Sequence, residues 1–526
     1  MLLIIASILT MIVKKKIERE KSNYISLGLS YCVSIILYFV FINPVPYRSI
    51  HFTSMIVSND IGLIASFAYG VNKDYPLNSY VYPFSTHNIN SSYAFIYVVL
   101  GKLASGLQVE AYNIYKAFVF TMFLSFVSVF NLFLGKICPK SKYAPFLGFL
   151  FLVFVGGGGF FRWMSKDLRD NTDNDFLFSI SGIPKVLTQP IIQQILPNIF
   201  SLSTSYLCLL LVYLIMSEAT EYATLLFVVS SIFDSKTSFM TSTFVIPSCL
   251  LKLSHPSYIA PISVLLMLFV PEFMPLCSYK EISISNELVK YFDVLGPFII
   301  VFVISIPLCM FSTPGLALSS LFSYVIYSLI HIGSDSTTFE ITYFSIVVVL
   351  LGVCCIVNSF YYLRSLFNSQ IVFGILDCLF MIAIIFLCLP TLIAISRSKN
   401  SYNGIDEHAI ELGHYIRDST SANSIFLVPG SSLFHSPLHI AGRKLWYTNK
   451  GIMERHGFDG SDYFLKRNLL YRNPTNAQTW YNISAQYFVE HRDSFKHSME
   501  HISWVNLIFE NQGYRLWRVV DENIVS

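Results

Sequence analysis

The chain is a succession of apolar runs, each close to the length that crosses a bilayer. A spanning helix needs ~20 mostly apolar residues. Stretches of that kind fall at 24–43, 115–135, 143–160, 199–217, 258–276, 295–313, 315–333, 341–362 and 370–396. Another, 223–251, is broken by Asp234 and Lys236 and reads as one span, two spans or a helix pair with a re-entrant turn. Only 13% of the 526 residues are charged and the mean hydropathy is +0.57. Soluble domains carry about 25% charged residues, so the pattern implies an integral membrane protein. Aromatic residues make up 16%, which suits lipid-facing and interfacial surfaces. A net charge of +3 is too small to argue for nucleic acid. The ten cysteines lie mostly in or beside apolar runs and none follows Cys388, so the polar C-terminal part has no disulfide framework, and no spacing suggests zinc.

Positive charge at span ends orients such a chain. The leading run MLLIIASILTMIV is short and reads as a brief first span or an uncleaved signal anchor. KKKIEREK, at Lys14–Lys21, precedes the span 24–43 and reads as cytoplasmic; Lys136, Lys140 and Lys142 follow 115–135 and read the same way. That map holds if 91–106, which contains Gly101, Lys102, Ser105 and Gly106, lies along the membrane surface rather than crossing it. It places two loops, 44–114 and 161–198, on the far, luminal side. The C-terminal region joins them there if 223–251 crosses twice; a single crossing would leave it in the cytoplasm. Sequons at Asn90 and Asn482 fall in the first loop and the C-terminal region.

From about Arg397 the composition turns polar. The rest, about 130 residues, is an ordinary domain size. IDEHAIELGHYIRD, from Ile405 to Asp418, has the spacing of an amphipathic helix. Strands are expected in SIFLVP, at Lys444–Tyr447, Ala485–Val489, Val505–Phe509 and Tyr514–Val520, with helices at Asp462–Leu470 and His491–His501. The expected fold is therefore a mostly α-helical polytopic membrane domain over 1–396, with about 10–12 membrane helices, and a small soluble α/β domain over 397–526.

Three stretches together resemble the GT-C superfamily of polytopic glycosyltransferases, which use lipid-phosphate-linked sugars. The first is Asp60 with Gly70, Val71 and Asn72, then the Tyr80–His87 run and SSYAFIYVVLGKLASG. The second is FVGGGGFFRW at Phe154–Trp163, followed by QPIIQQILPNIFSLSTSYLCLLL. The third is ELGHYIRDSTSANSIFLVPG with AGRKLWYTNKGIMERHGFD. The resemblance implies an acidic residue early in the first luminal loop, helices lying along the membrane after it, and a luminal C-terminal domain. The acid here is a single Asp, where some subfamilies carry a pair, and no WWDYG-like sequence is present.

The resemblance implies sugar transfer from a dolichyl- or polyprenyl-phosphate donor to a luminal acceptor in an endoplasmic reticulum membrane. Membrane lipids and the lipid-linked donor are then the partners. In an inverting transfer a carboxylate near the membrane surface takes the acceptor hydroxyl proton. Asp60 is the candidate; its plainer reading is a loop aspartate, and Asp74 is the fallback. His87 is a candidate donor to phosphate or sugar. Arg162, with Lys166 and Arg169, follows the glycine run and suits a phosphate, or else packs on lipid headgroups. Arg443, with His435 and His439, is a candidate to reach acceptor or phosphate, against a structural turn. Asp167, Asp170, Asp173 and Asp175 offer oxygen ligands for a divalent cation, yet lack the EF-hand glycine and glutamate, and a plain acidic loop is the stronger reading. Two other functions stay open. A transporter would use Asp234, Lys236 and Asp377 near mid-membrane. A non-catalytic scaffold of the same fold would use none of these groups.

Overall fold

A computed structural model of the chain describes residues 24–41, 50–52, 56–73, 80–81, 88–89, 94–139, 143–154, 199–217, 298–329, 337–367, 403–428, 436–446, 485–491 and 502–520, with isolated shorter pieces. The described residues are mostly helical, with a small sheet near the C-terminus. The chain divides into two compact units, one of residues 1–41 and 119–402, the other of 42–118 and 403–526.

The first unit is built of helices Tyr24–Phe41, Ala144–Phe154, Ile199–Met216, Phe298–Ser312, Pro314–Leu329 and Thr337–Ser365, with most of Ala111–Ile137. Thr337–Ser365 packs against Phe298–Ser312, Pro314–Leu329, Ala144–Phe154 and Ile199–Met216. The outward faces are apolar. Ile300, Val303 and Ile304 form a stripe at helical neighbour spacing, 55%, 56% and 65% exposed. Such a stripe is unfavourable in water and ordinary against lipid. The polar groups turn inward instead. Asn131 Oδ1 accepts from Ser26 and Ser30, each at 3.3 Å, and Asn358 Nδ2 donates to Ser312 Oγ at 2.5 Å and Thr313 Oγ1 at 2.6 Å. Hydrogen bonds between helices do this work where the solvent supplies no hydrophobic drive. Among the described residues one helix, Ala111–Ile137, is both long and apolar enough to cross a membrane alone, and the other apolar helices are shorter. The expected spans 258–276 and nearly all of 223–251 lie outside the described residues.

The second unit joins two distant parts of the sequence. Strand Ile50–Phe52 pairs antiparallel with Asn403–Ile405, Ile50 opposite Ile405. The helix Glu407–Ser419 begins at Asp406, whose carboxylate accepts from the Ala409 N–H at 2.6 Å. Its buried positions, Ala409, Leu412, Gly413 and Ile416, repeat at the expected period. The five-stranded sheet runs in the order Val505–Glu510, Tyr514–Val519, Tyr487–His491, Ile425–Leu427, Lys444–Leu445. The first three are antiparallel neighbours and the last two pairings are parallel. Asn511 Oδ1 closes the hairpin by accepting from the Gly513 and Tyr514 N–H groups. Leu427, Trp446, Phe488, Val505, Trp517 and Val519 share one core with Ile483, Ala485 and Met499. Strands occupy each of the five stretches expected to hold them, with every end within two residues of the expected one. The expected helix His491–His501 has His491 in a strand, and 492–498 lie outside the described residues.

Candidate functional site

Asp60 sits early in the helix Ile56–Ala68. From Ile61 onward that helix is almost wholly buried: Ile61, Ile64, Ala65, Phe67 and Ala68 are at most 1% exposed. Its end is set by GVN. Gly70 N–H bonds back to Ala65 O at 3.1 Å, Asn72 N–H reaches Ser66 O at 3.0 Å, and the Asn72 amide donates to Ser66 Oγ at 3.1 Å. Asn72 is itself fully buried. It acts as a polar plug that absorbs the acceptors a helix end leaves over.

A second helix, Ala94–Leu107, packs along the first. Tyr97, 2% exposed, points its hydroxyl at Asp60, 3% exposed, and donates to Oδ1 at 2.6 Å. One turn further along both helices, Gly101 lies so close that a Cβ there would meet Phe67 Cβ at 2.5 Å and Ile64 O at 2.9 Å. The absent side chain therefore sets the separation that lets phenol and carboxylate meet. A buried carboxylate is costly without hydrogen bonds, and the phenol supplies one.

The C-terminal helix Ser436–Ala441 packs on Ile56–Ala68 and on Glu407–Ser419. It ends at Gly442, with φ +65°. A Cβ on Gly442 would meet Ala65 C and O at 2.7 Å, and one on Gly70 would collide with Gly442 O. Two backbones touch here, and Val71 N–H donates to Gly442 O at 3.3 Å. The GVN and AGR stretches, far apart in sequence, form a single seam.

Arg443 closes that seam. It is 3% exposed, and its five guanidinium N–H groups have five acceptors: Thr420 Oγ1 at 3.2 Å, Tyr69 O at 3.4 Å, Ala441 O at 3.2 Å, Arg417 O at 2.7 Å and Thr420 O at 2.9 Å. Burial, and then the Arg417 charge, push it down to about 10, so it remains a cation at neutral pH. Its charge is answered by carbonyls at the C-terminal ends of three helices, Ile56–Ala68, Glu407–Ser419 and Ser436–Ala441. Arg417 donates through Nη1 to both oxygens of Glu110, at 2.9 and 3.0 Å, and lies over the Tyr69 ring at 4.8 Å. Burial and then the Glu110 carboxylate raise the Tyr69 phenol well above the ordinary range, so it stays a donor.

Of the residues expected at a site, the structure describes Asp60 and Arg443, and it brings both into the second unit. His439 is also there, buried in Ser436–Ala441. His87, Arg162, Lys166, Arg169, Asp74, His435, the Asp167–Asp175 run, Asp234, Lys236 and Asp377 lie outside the described residues. Tyr97, Glu110 and Arg417 carry the geometry and were not expected. No local sequence signal marks them; the structure places Glu110 at the start of the helix Ala111–Ile137, where its carbonyl accepts from the Asn113 and Ile114 N–H groups. Among the described residues no group of three or more metal-ligating side chains occurs.

No protein-family model and no curated protein matches the chain. The crystal structure of the Archaeoglobus fulgidus oligosaccharyltransferase in the apo form matches with TM-score 0.46 at 9% identity, over 89% of this chain and 69% of that chain. The same protein, tethered by a disulfide to an acceptor peptide with the NVT sequon, matches with TM-score 0.44 at 10% identity over the same shares. At those scores the likeness assigns neither family nor activity.

Proposed function

We propose that the chain is a membrane glycosyltransferase of GT-C type, moving a sugar from a polyprenyl- or dolichyl-phosphate carrier to a luminal acceptor, with Asp60 as the base. The observation that carries the reading is the buried Asp60 carboxylate held by the Tyr97 hydroxyl, in the segment just after the first long apolar helix. Ionisable groups taken out of water and given a specific partner are over-represented at active sites. In the proposed step the acceptor oxygen attacks the anomeric carbon as the carbon–phosphate-oxygen bond breaks. The phosphate takes the bonding electrons, and the acceptor proton passes to Asp60. The anomeric configuration inverts. Arg162 and Lys166 are the proposed cations for the donor phosphate, and His87 a proposed hydrogen-bond donor in the first loop.

The test is transfer of radiolabelled sugar by membranes that contain the full chain, with dolichyl-phosphate mannose and dolichyl-phosphate glucose as donor probes. Asp60→Asn keeps the shape and loses the base, and the expected loss is on the order of 100-fold or more. Equal transfer by wild type and variant would sink the assignment. The Asp60–Tyr97 bond would then be a tie between two helices, as a non-catalytic scaffold of the same fold would use it.

A further inference from the structure

We propose that Tyr97 is a positioning residue for the Asp60 carboxylate, holding its orientation and keeping it ionised for proton uptake; this rests on the reading of Asp60 as the base. Three observations carry it. The hydrogen bond is short, 2.6 Å, as O–H to carboxylate bonds are. Both partners are nearly fully buried, at 2% and 3% exposure, so the phenol works in surroundings where a donor to a charge matters most. The register is built in. Asp60 and Ile64 are one turn apart on one helix, Tyr97 and Gly101 one turn apart on the other, and the backbone contact at Gly101 fixes both pairs together.

A hydroxyl that donates to a carboxylate favours the ionised form over the protonated one. Tyr97→Phe removes one oxygen and leaves the ring in place. A base that has lost this donor holds its proton to higher pH, so the variant needs a higher pH to work. The sign is definite: the acidic limb of the rate–pH profile moves up, by about one pH unit for a charge-assisted hydrogen bond. Above that limb the variant's rate approaches that of wild type, because its base is again ionised.

The experiment is the rate–pH profile of sugar transfer from the two dolichyl-phosphate probes, by membranes with wild type, Tyr97→Phe or Asp60→Asn. Gly106→Ala, on the open side of the Tyr97 helix, controls for substitution as such. The expected set is an upward-shifted limb for Tyr97→Phe, transfer lost at every pH for Asp60→Asn, and an unmoved limb for Gly106→Ala. A Tyr97→Phe profile with an unmoved limb, whether lowered evenly or not at all, would overturn the positioning role and leave Asp60 as the base. Full transfer by Asp60→Asn, or none by wild type from either probe, would overturn both.

Discussion

Arg443 admits two readings in the sequence, a ligand for acceptor or phosphate and a structural turn, and its surroundings are those of the second. A cation after a glycine in a His-containing turn looks like a phosphate ligand. Its guanidinium is instead divided among five acceptors, four of them main-chain carbonyls. Those carbonyls come from Tyr69, Arg417, Thr420 and Ala441, and nothing in the local sequence shows that they converge. A lysine cannot replace the planar fork. Arg443→Lys therefore leaves buried carbonyls unmet, and the expected loss is about 2 kcal/mol, with Arg443→Met losing more. Thermal unfolding of detergent-purified protein measures both. Wild-type stability in Arg443→Lys would contradict a seam closed by the guanidinium. Tyr97 was hidden for the opposite reason: a tyrosine in SSYAFIYVV is one aromatic among many, and only the facing helix gives it an acid to hold.

Among the elements, legibility followed exposure. The helix Glu407–Ser419 has one buried face and one wet face, so its apolar positions recur with a period the eye can find, and the strands of the sheet stand out as short β-branched and aromatic runs between polar turns. The helix Ile56–Ala68 does not. It is buried around nearly its whole circumference beyond Asp60, so its apolar residues show no stripe, and it is too short to look like a span. The short helix Ser436–Ala441 carries Pro437 and His439, and its fully buried Leu438, Ile440 and Ala441 leave no period either. The long apolar helices were legible because their length alone announces them. Two glycines on Ala94–Leu107 give a sharp test of the packing. Gly101 meets Phe67 and Ile64, whereas Gly106 has nothing within 4 Å of a built Cβ. Gly106→Ala is expected to stabilise by about 0.5–1 kcal/mol through helix propensity. Gly101→Ala is expected to destabilise by about 1–3 kcal/mol through overpacking. Unfolding midpoints that move the same way in the two variants would refute the close contact.

Over the whole molecule, the second unit ties residues 42–118 to 403–526 by a strand pair, a glycine seam and the Glu110–Arg417 ion pair. In the membrane arrangement expected from the sequence, these ties require 42–118 and 403–526 to share one side, with an even number of crossings between them. A double crossing at 223–251 satisfies this, and a single one does not. Epitopes placed within 74–79 and after Ser526 are expected to be protected from protease, or cleaved, together in sealed vesicles; opposite behaviour would break the unit apart. The same ties set a timetable. Glu110 meets a partner 307 residues later in the chain, and Tyr69 one 374 residues later. At ribosomal speeds of about 5–20 residues per second, Glu110 waits roughly 15–60 seconds for its arginine to be made. During that interval the Asp60 helix has Tyr97 at its side but neither Gly442 nor Arg443 at its end. The two halves of the candidate site are therefore made far apart in time, and the first waits incomplete for the second.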